Sequence, residues 1–162
     1  MNKNDKPITS FDEVKKISFS TFNEKYNFTK LCILIPDKEN ERLIIKDLGE
    51  DKRGLVYAMV CNDILLKVGS TITSMEDRIK SYNCGRKKFR ENGTCSTTNY
   101  YVLQSLLNLG MDIEVYVFYP EKIKVNVFGE EVHTSVPPKL YEKSILRSLK
   151  EEGIMPTFCT QV

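Results

Sequence analysis

Two apolar runs, residues 55–61 and 64–68, are separated only by Asn62-Asp63. Runs of that length and β-branched content predict strands, and Asn and Asp tolerate the left-handed backbone of a tight hairpin. Further on, Ile113, Val115, Val117 and Tyr119 alternate with Glu114, Tyr116 and Phe118, the period of a third strand that Pro120 ends. Residues 123–128, interrupted by Lys124 and Asn126, predict an edge hairpin or flap. Helical spacing covers 98–109, where Tyr101, Leu103, Leu106, Leu107 and Leu109 are apolar and Gly110 is the stop. Pro137-Pro138 opens a last helix to about Glu152, before Gly153. Thr73-Ser74-Met75-Glu76 reads as a capping box with Thr73 as the cap, heading a helix over 74–82.

The first 50 residues are mixed. Ser10-Phe11-Asp12-Glu13 resembles a helix start, Leu31-Cys32-Ile33-Leu34-Ile35 is a buried apolar run stopped by Pro36, and Leu43-Ile44-Ile45 is a shorter one. The polar stretch Glu50-Asp51-Lys52-Arg53-Gly54 sets them apart. We therefore expect an N-terminal segment over 1–50 and a core domain over 51–162.

At 162 residues, with 41% apolar and 28% charged positions, the chain has the size and composition of one globular domain. No apolar run approaches the roughly 18 residues of a membrane span, and Met1-Asn2-Lys3-Asn4-Asp5-Lys6 lacks the apolar stretch of a signal peptide. A cytoplasmic location is the expectation. Five cysteines with no C-x2-4-C spacing, and His133 as the single histidine, argue against a disulfide framework and against zinc.

Charge is unevenly spread. Between Asp77 and Tyr100 six basic residues (Arg78, Lys80, Arg86, Lys87, Lys88, Arg90) face two acidic ones, Asp77 and Glu91. That excess of four exceeds the net +2 of the whole chain, so the remainder carries −2. A basic loop over 83–98 is therefore where a polyanion would dock.

Tyr57, Lys67, Arg78 and Tyr82 fall within one hairpin and the helix after it, a set suited to gripping and hydrolysing a phosphodiester. Arg78 and Tyr82 are four apart and share a helix face. Glu142 precedes Ile145, Leu146 and Leu149 by three, four and seven positions, on the edge of an inward-facing stripe. A carboxylate there needs a partner or a metal.

In this order, Gly54-Leu55-Val56-Tyr57, Lys67-Val68-Gly69, Arg78-Ile79-Lys80-Ser81-Tyr82 and Glu142 resemble the motifs of the GIY-YIG nuclease superfamily. Ser81-Tyr82-Asn83-Cys84-Gly85, the stretch 92–100, residues 102–107 and the closing Cys159-Thr160-Gln161 look most like its small stand-alone type II restriction endonucleases. The resemblance implies an α+β domain, a small three-stranded antiparallel sheet flanked by helices, here with an N-terminal extension and an inserted basic loop. It implies a homodimer that cuts both strands of double-stranded DNA at a short site with Mg²⁺, Mn²⁺ substituting, beside a cognate DNA methyltransferase and away from membranes. A phage-type or non-specific nuclease, or a non-catalytic DNA-binding module of the same fold, are the alternatives. Two positions depart from the common pattern: Lys67 stands where most relatives have Tyr, and Thr157 follows Pro156 where many carry Asn.

On that resemblance Glu142 would hold the single metal ion, Tyr57 would be the general base, and Lys67 would favour its phenolate or orient the water. Arg78 would clamp the phosphate and Tyr82 would donate to it. Arg86, Lys87, Lys88 and Arg90 would contact phosphates or bases, with Asn83, Thr97 and Asn99 offering neutral hydrogen bonds to base edges. A regular two-residue Asn62-Asp63 turn would pair Tyr57 with Val68 and put Tyr57 and Lys67 on opposite faces. A three-residue turn or a bulge is therefore expected in this hairpin.

Overall fold

The computed structural model describes residues 6–159, so Met1 to Asp5 of the polar N-terminus and the closing Thr160-Gln161 lie outside the described residues. A single 3-10 turn, Phe11–Glu13, is followed by α1 (Phe19–Tyr26), β1 (Thr29–Asp37), β2 (Arg42–Lys46), β3 (Leu55–Cys61) and β4 (Ile64–Thr71). Then come α2 (Met75–Tyr82), α3 (Lys87–Glu91), α4 (Thr97–Leu109), β5 (Ile113–Phe118), β6 (Lys122–Val127), β7 (Glu130–Ser135) and α5 (Pro138–Glu151).

The main sheet is antiparallel with five strands, in the order β2-β1-β5-β3-β4, and not the three expected. The difference is the N-terminal segment: Thr29 to Leu34 pair along the free edge of β5, and β2 extends the sheet further. Pro36 does not stop β1, because pairing with β5 ends at Leu34 and no ladder bond needs the missing N–H. Joining the sheet buries Leu31, Cys32, Leu34 and Leu43.

β3 is buried along its whole length, which explains its unbroken apolar run. Leu55, Tyr57, Met59 and Cys61 face a core shared with α2 and α4. Val56, Ala58 and Val60 face a second core shared with α1 and α5, where Phe19, Phe22, Ile145, Leu146 and Leu149 pack. The sheet is therefore covered by helices on both faces. No helix among the described residues is long and apolar enough to cross a membrane.

Several local readings change. Ser74 is the cap of α2, accepting from the Asp77 N–H at 3.2 Å, one residue beyond the expected Thr73. Asp51 takes the backbone N–H groups of Met75 and Glu76, both at 2.8 Å, and so removes the donor that Thr73 would have capped. The expected loop over 83–98 contains the short helix α3. β6 and β7 form a hairpin of their own, exposed on both sides, with Phe128 and Gly129 at its tip.

Both edges of the main sheet are covered. At β2 the Asn83 side chain accepts from the Leu43 N–H (2.7 Å) and donates to the Leu43 carbonyl (3.1 Å), completing the ladder as a neighbouring strand would. At β4 the Phe158 N–H donates to the Leu66 carbonyl (2.9 Å), and Cys159 Sγ accepts from the Val68 N–H at 3.2 Å. Asn83→Ala should cost about 1–2 kcal/mol, two backbone groups at about 1 kcal/mol each. Thermal denaturation should show the loss.

Candidate active site

The hairpin of β3 and β4 reconciles a tight turn with a shared face. Asn62 and Asp63 both take left-handed angles (φ 49° and 60°), and Cys61 pairs with Ile64 across a two-residue turn. Val60 then pairs with Leu65 but Met59 with Lys67, so Leu66 is an extra, bulged residue. Beyond the bulge Tyr57 pairs with Gly69, and Tyr57 and Lys67 lie on one face. The bulge is the device that the sequence required.

A cavity of about 110 Å³ opens at the β4 edge, lined by Tyr57, Lys67, Ser70, Arg78, Lys139 and Glu142 among others. Four of the five expected catalytic side chains thus meet in one place. The fifth, Tyr82, is fully buried behind it and touches Tyr57, with 2.6 Å between the two phenol oxygens. Arg78 Nε donates to Tyr57 Oη at 3.2 Å, and its guanidinium stacks 4.1 Å from the Tyr82 ring centre. Arg78 Nη1 donates to Ser81 Oγ at 3.3 Å. Lys67 is 8% exposed, and its Nζ donates to the Phe158 carbonyl at 3.1 Å.

Glu142 approaches from the other face of the sheet, on the second turn of α5. Its carboxylate is nearly buried and both oxygens are engaged. Oε2 accepts from Ser70 Oγ, and Oε1 from Lys139 Nζ at 2.7 Å. The site therefore wraps the β4 edge, with phenols and guanidinium on one side and the carboxylate on the other.

The phenols are not preset as phenolates. Burial pushes the Tyr57 hydroxyl well above the ordinary tyrosine value, and Tyr82 adds to this, while Lys67 and Arg78 pull the other way without prevailing. Lys67 thus acts on Tyr57 in the expected direction, but desolvation outweighs it. Tyr82 is raised too, again mainly by burial.

The expected DNA contacts divide. Asn83 gives its carbonyl oxygen and one amide hydrogen to Leu43. Asn99 donates to Ser81 Oγ at 3.2 Å, so it braces the residue that holds Arg78. Arg90 donates to Thr97 Oγ1 at 3.0 Å and lies over the Tyr100 ring. That bond ties α3 to the end of α4 from which Thr98 lines the cavity. Lys87 and Lys88 are exposed, and among the described residues Arg86 Nε is a buried donor with no partner. Thr157 accepts from the Lys15 N–H at 2.9 Å, which fastens the N-terminal segment and keeps its hydroxyl out of the cavity lining.

Sequence reasoning missed Ser70, Thr98, Lys139 and Cys159, all of which line the cavity. Lys139 carried a signal, since it stands three residues before Glu142 on one helix. Ser70, Thr98 and Cys159 carried none apart from the fold.

No protein-family model and no curated protein matches the chain. Among solved structures, restriction endonuclease HPY188I, in complex with product DNA, matches with a TM-score of 0.74 and 36% identity. The match covers 99% of this chain and 96% of that one. The chain belongs to the family of HPY188I. A mutant of bacteriophage T4 EndoII matches at a TM-score of 0.64 and 20% identity, over 90% of this chain and 100% of that one, and shows the same fold. Family membership makes the chain a nuclease, and the cavity is its candidate active site.

Gly69 carries a specific demand of this site: a Cβ there would lie 2.4 Å from Tyr57 Oη. Tyr57 cannot retreat without losing its bonds to Tyr82 and Arg78. Gly69→Ala should therefore destabilise the protein by about 1–3 kcal/mol and expel Tyr57 from its place. Denaturation and the near-ultraviolet tyrosine signal would both register it.

Proposed function

We propose that this chain is a type II restriction endonuclease of the GIY-YIG superfamily. It hydrolyses both strands of double-stranded DNA at a short specific site, as a homodimer, with one Mg²⁺ per active site, in a cytoplasm where a cognate methyltransferase protects host DNA. The convergence of Tyr57, Lys67, Arg78 and Glu142 on one cavity carries this reading. The kinship with HPY188I, solved with product DNA, supports DNA as the substrate.

Glu142 fits a magnesium ion. It is a hard oxygen ligand on the cavity wall, and Mg²⁺ commonly takes one or two carboxylates together with waters and phosphate oxygens. Among the described residues no group of three or more His, Cys, Asp or Glu could hold a metal, and an ion on Glu142 would draw its other ligands from phosphate oxygens and water. Bound there, the ion would neutralise the scissile phosphate and stabilise the leaving oxygen.

The protein groups do the rest. Arg78, fixed through Nε and Nη1, has Nη2 for a phosphate oxygen. Lys67 gives one donor to Phe158 and has two for phosphate or water. Tyr57 takes the proton of the attacking water once ionised, and Arg78 and Tyr82 can both donate to its oxygen in that state. Tyr82 is thus a positioning residue for Tyr57, in place of the phosphate contact expected of it. Arg86, Lys87, Lys88 and Arg90, with Thr97 and Asn99 beside them, form the DNA-contacting surface. The basic residues hold phosphates or read guanine edges.

Incubation of wild type and Glu142→Gln with unmethylated plasmid and Mg²⁺ tests this directly. Wild type should give discrete bands, and the variant should be at least about a hundredfold slower, as when a principal electrostatic group is lost. A smear would mean cleavage without site specificity, and intact DNA on several unmethylated templates would overturn the nuclease assignment. A second test follows from the raised Tyr57 value. A base that must lose its proton first is active only as phenolate, so single-turnover cleavage should climb with pH from 7 and show no plateau by about pH 10, the ordinary tyrosine value. A flat profile would remove Tyr57 as the base.

A further inference from the structure

Lys139 breaks a local rule. It occupies the first turn of α5, where the positive end of the helix dipole disfavours a cation, and that turn holds no acidic residue. Departures of this kind concentrate at functional sites. Its ammonium lies 2.7 Å from Glu142 Oε1, at the mouth of the candidate active site.

The two partners of Glu142 are unlike. Ser70 is a neutral, half-buried donor built into β4, and it fixes Oε2. The Lys139 side chain is 61% exposed, against 10% for Glu142, so its flexible stem can swing the ammonium outward. One oxygen is thus held by a rigid group and the other by a movable charge. Without a cation beside it, the nearly buried carboxylate would stand uncompensated. A divalent ion at Oε1 would meet the ammonium at close range and repel it.

We propose that Lys139 is a displaceable counter-ion. It neutralises Glu142 in the metal-free protein, yields Oε1 to the divalent cation, and moves to the DNA phosphate. The inference rests on Glu142 as the metal ligand. It makes metal and DNA binding mutually reinforcing, since each takes one partner of the resting ion pair. Lys139 is then a positioning residue whose substitution improves metal binding while harming the coupling to DNA.

Calorimetric titration of the DNA-free protein with Mn²⁺ reads this without catalysis. Lys139→Met should bind Mn²⁺ about fivefold more tightly than wild type, the scale of a half-exposed ion pair. Lys139→Arg should stay near wild type, as should Lys143→Met, which removes an exposed charge elsewhere on α5. Glu142→Gln should abolish binding. Unchanged or weaker binding by Lys139→Met, with Glu142→Gln still abolishing it, overturns the counter-ion role and leaves the metal site standing. Binding that survives in Glu142→Gln overturns both. In a Tyr57→Phe background, which blocks cutting, duplex DNA should tighten Mn²⁺ binding more than it does when Lys139→Met is added. An equal gain in both overturns the transfer to phosphate.

Discussion

One extra residue governs this site. The turn at Asn62-Asp63 is as short as a hairpin allows, and left alone it would send Tyr57 and Lys67 to opposite faces. Leu66, bulged out of register, restores the shared face and costs only one unpaired position in the ladder. Everything on the phenol side depends on that slip. Gly69 falls opposite Tyr57 because of it, and the phenol lies where a side chain would otherwise be. The phenol then meets Tyr82 and Arg78 from α2.

The edge position of β4 matters as much. A central strand would have a neighbour on each side and no space for a substrate. Among the described strands β4 pairs with β3 alone; its other edge is bridged by Ser18 at Ile64 and covered further on by Phe158 and Cys159, leaving the cavity beside it. The sheet accordingly spends polar side chains on closing its rims. Asn83 seals β2 through both ends of its amide.

Much of this was legible in the chain. The hairpin, the alternating β5, the helices ending at Gly110 and Gly153, and the inward Glu142 follow from local period and punctuation, which need no knowledge of partners. The conflict between turn length and face even called for the bulge. What stayed hidden depends on contacts distant in sequence. Residues 1–50 were set apart by the polar stretch that follows them, yet β1 exists by pairing with β5, about 80 positions away. Asp51 displaced the cap of α2 across 24 positions. The Tyr57 phenol was expected to ionise because a lysine is near, whereas the stronger effect is its burial, which no spacing reveals.

The site wraps a strand edge, so its halves close over very different stretches of chain. Tyr57 and Tyr82 meet across 25 positions, but Glu142 reaches Ser70 across 72. Loop-closure entropy and contact order favour the shorter closure. During folding, the half built from Tyr57, Arg78 and Tyr82 needs one compact hairpin and helix, whereas the carboxylate half needs α5 brought to β4. The two halves of the cavity therefore belong to different ranges of chain closure, one local and one long.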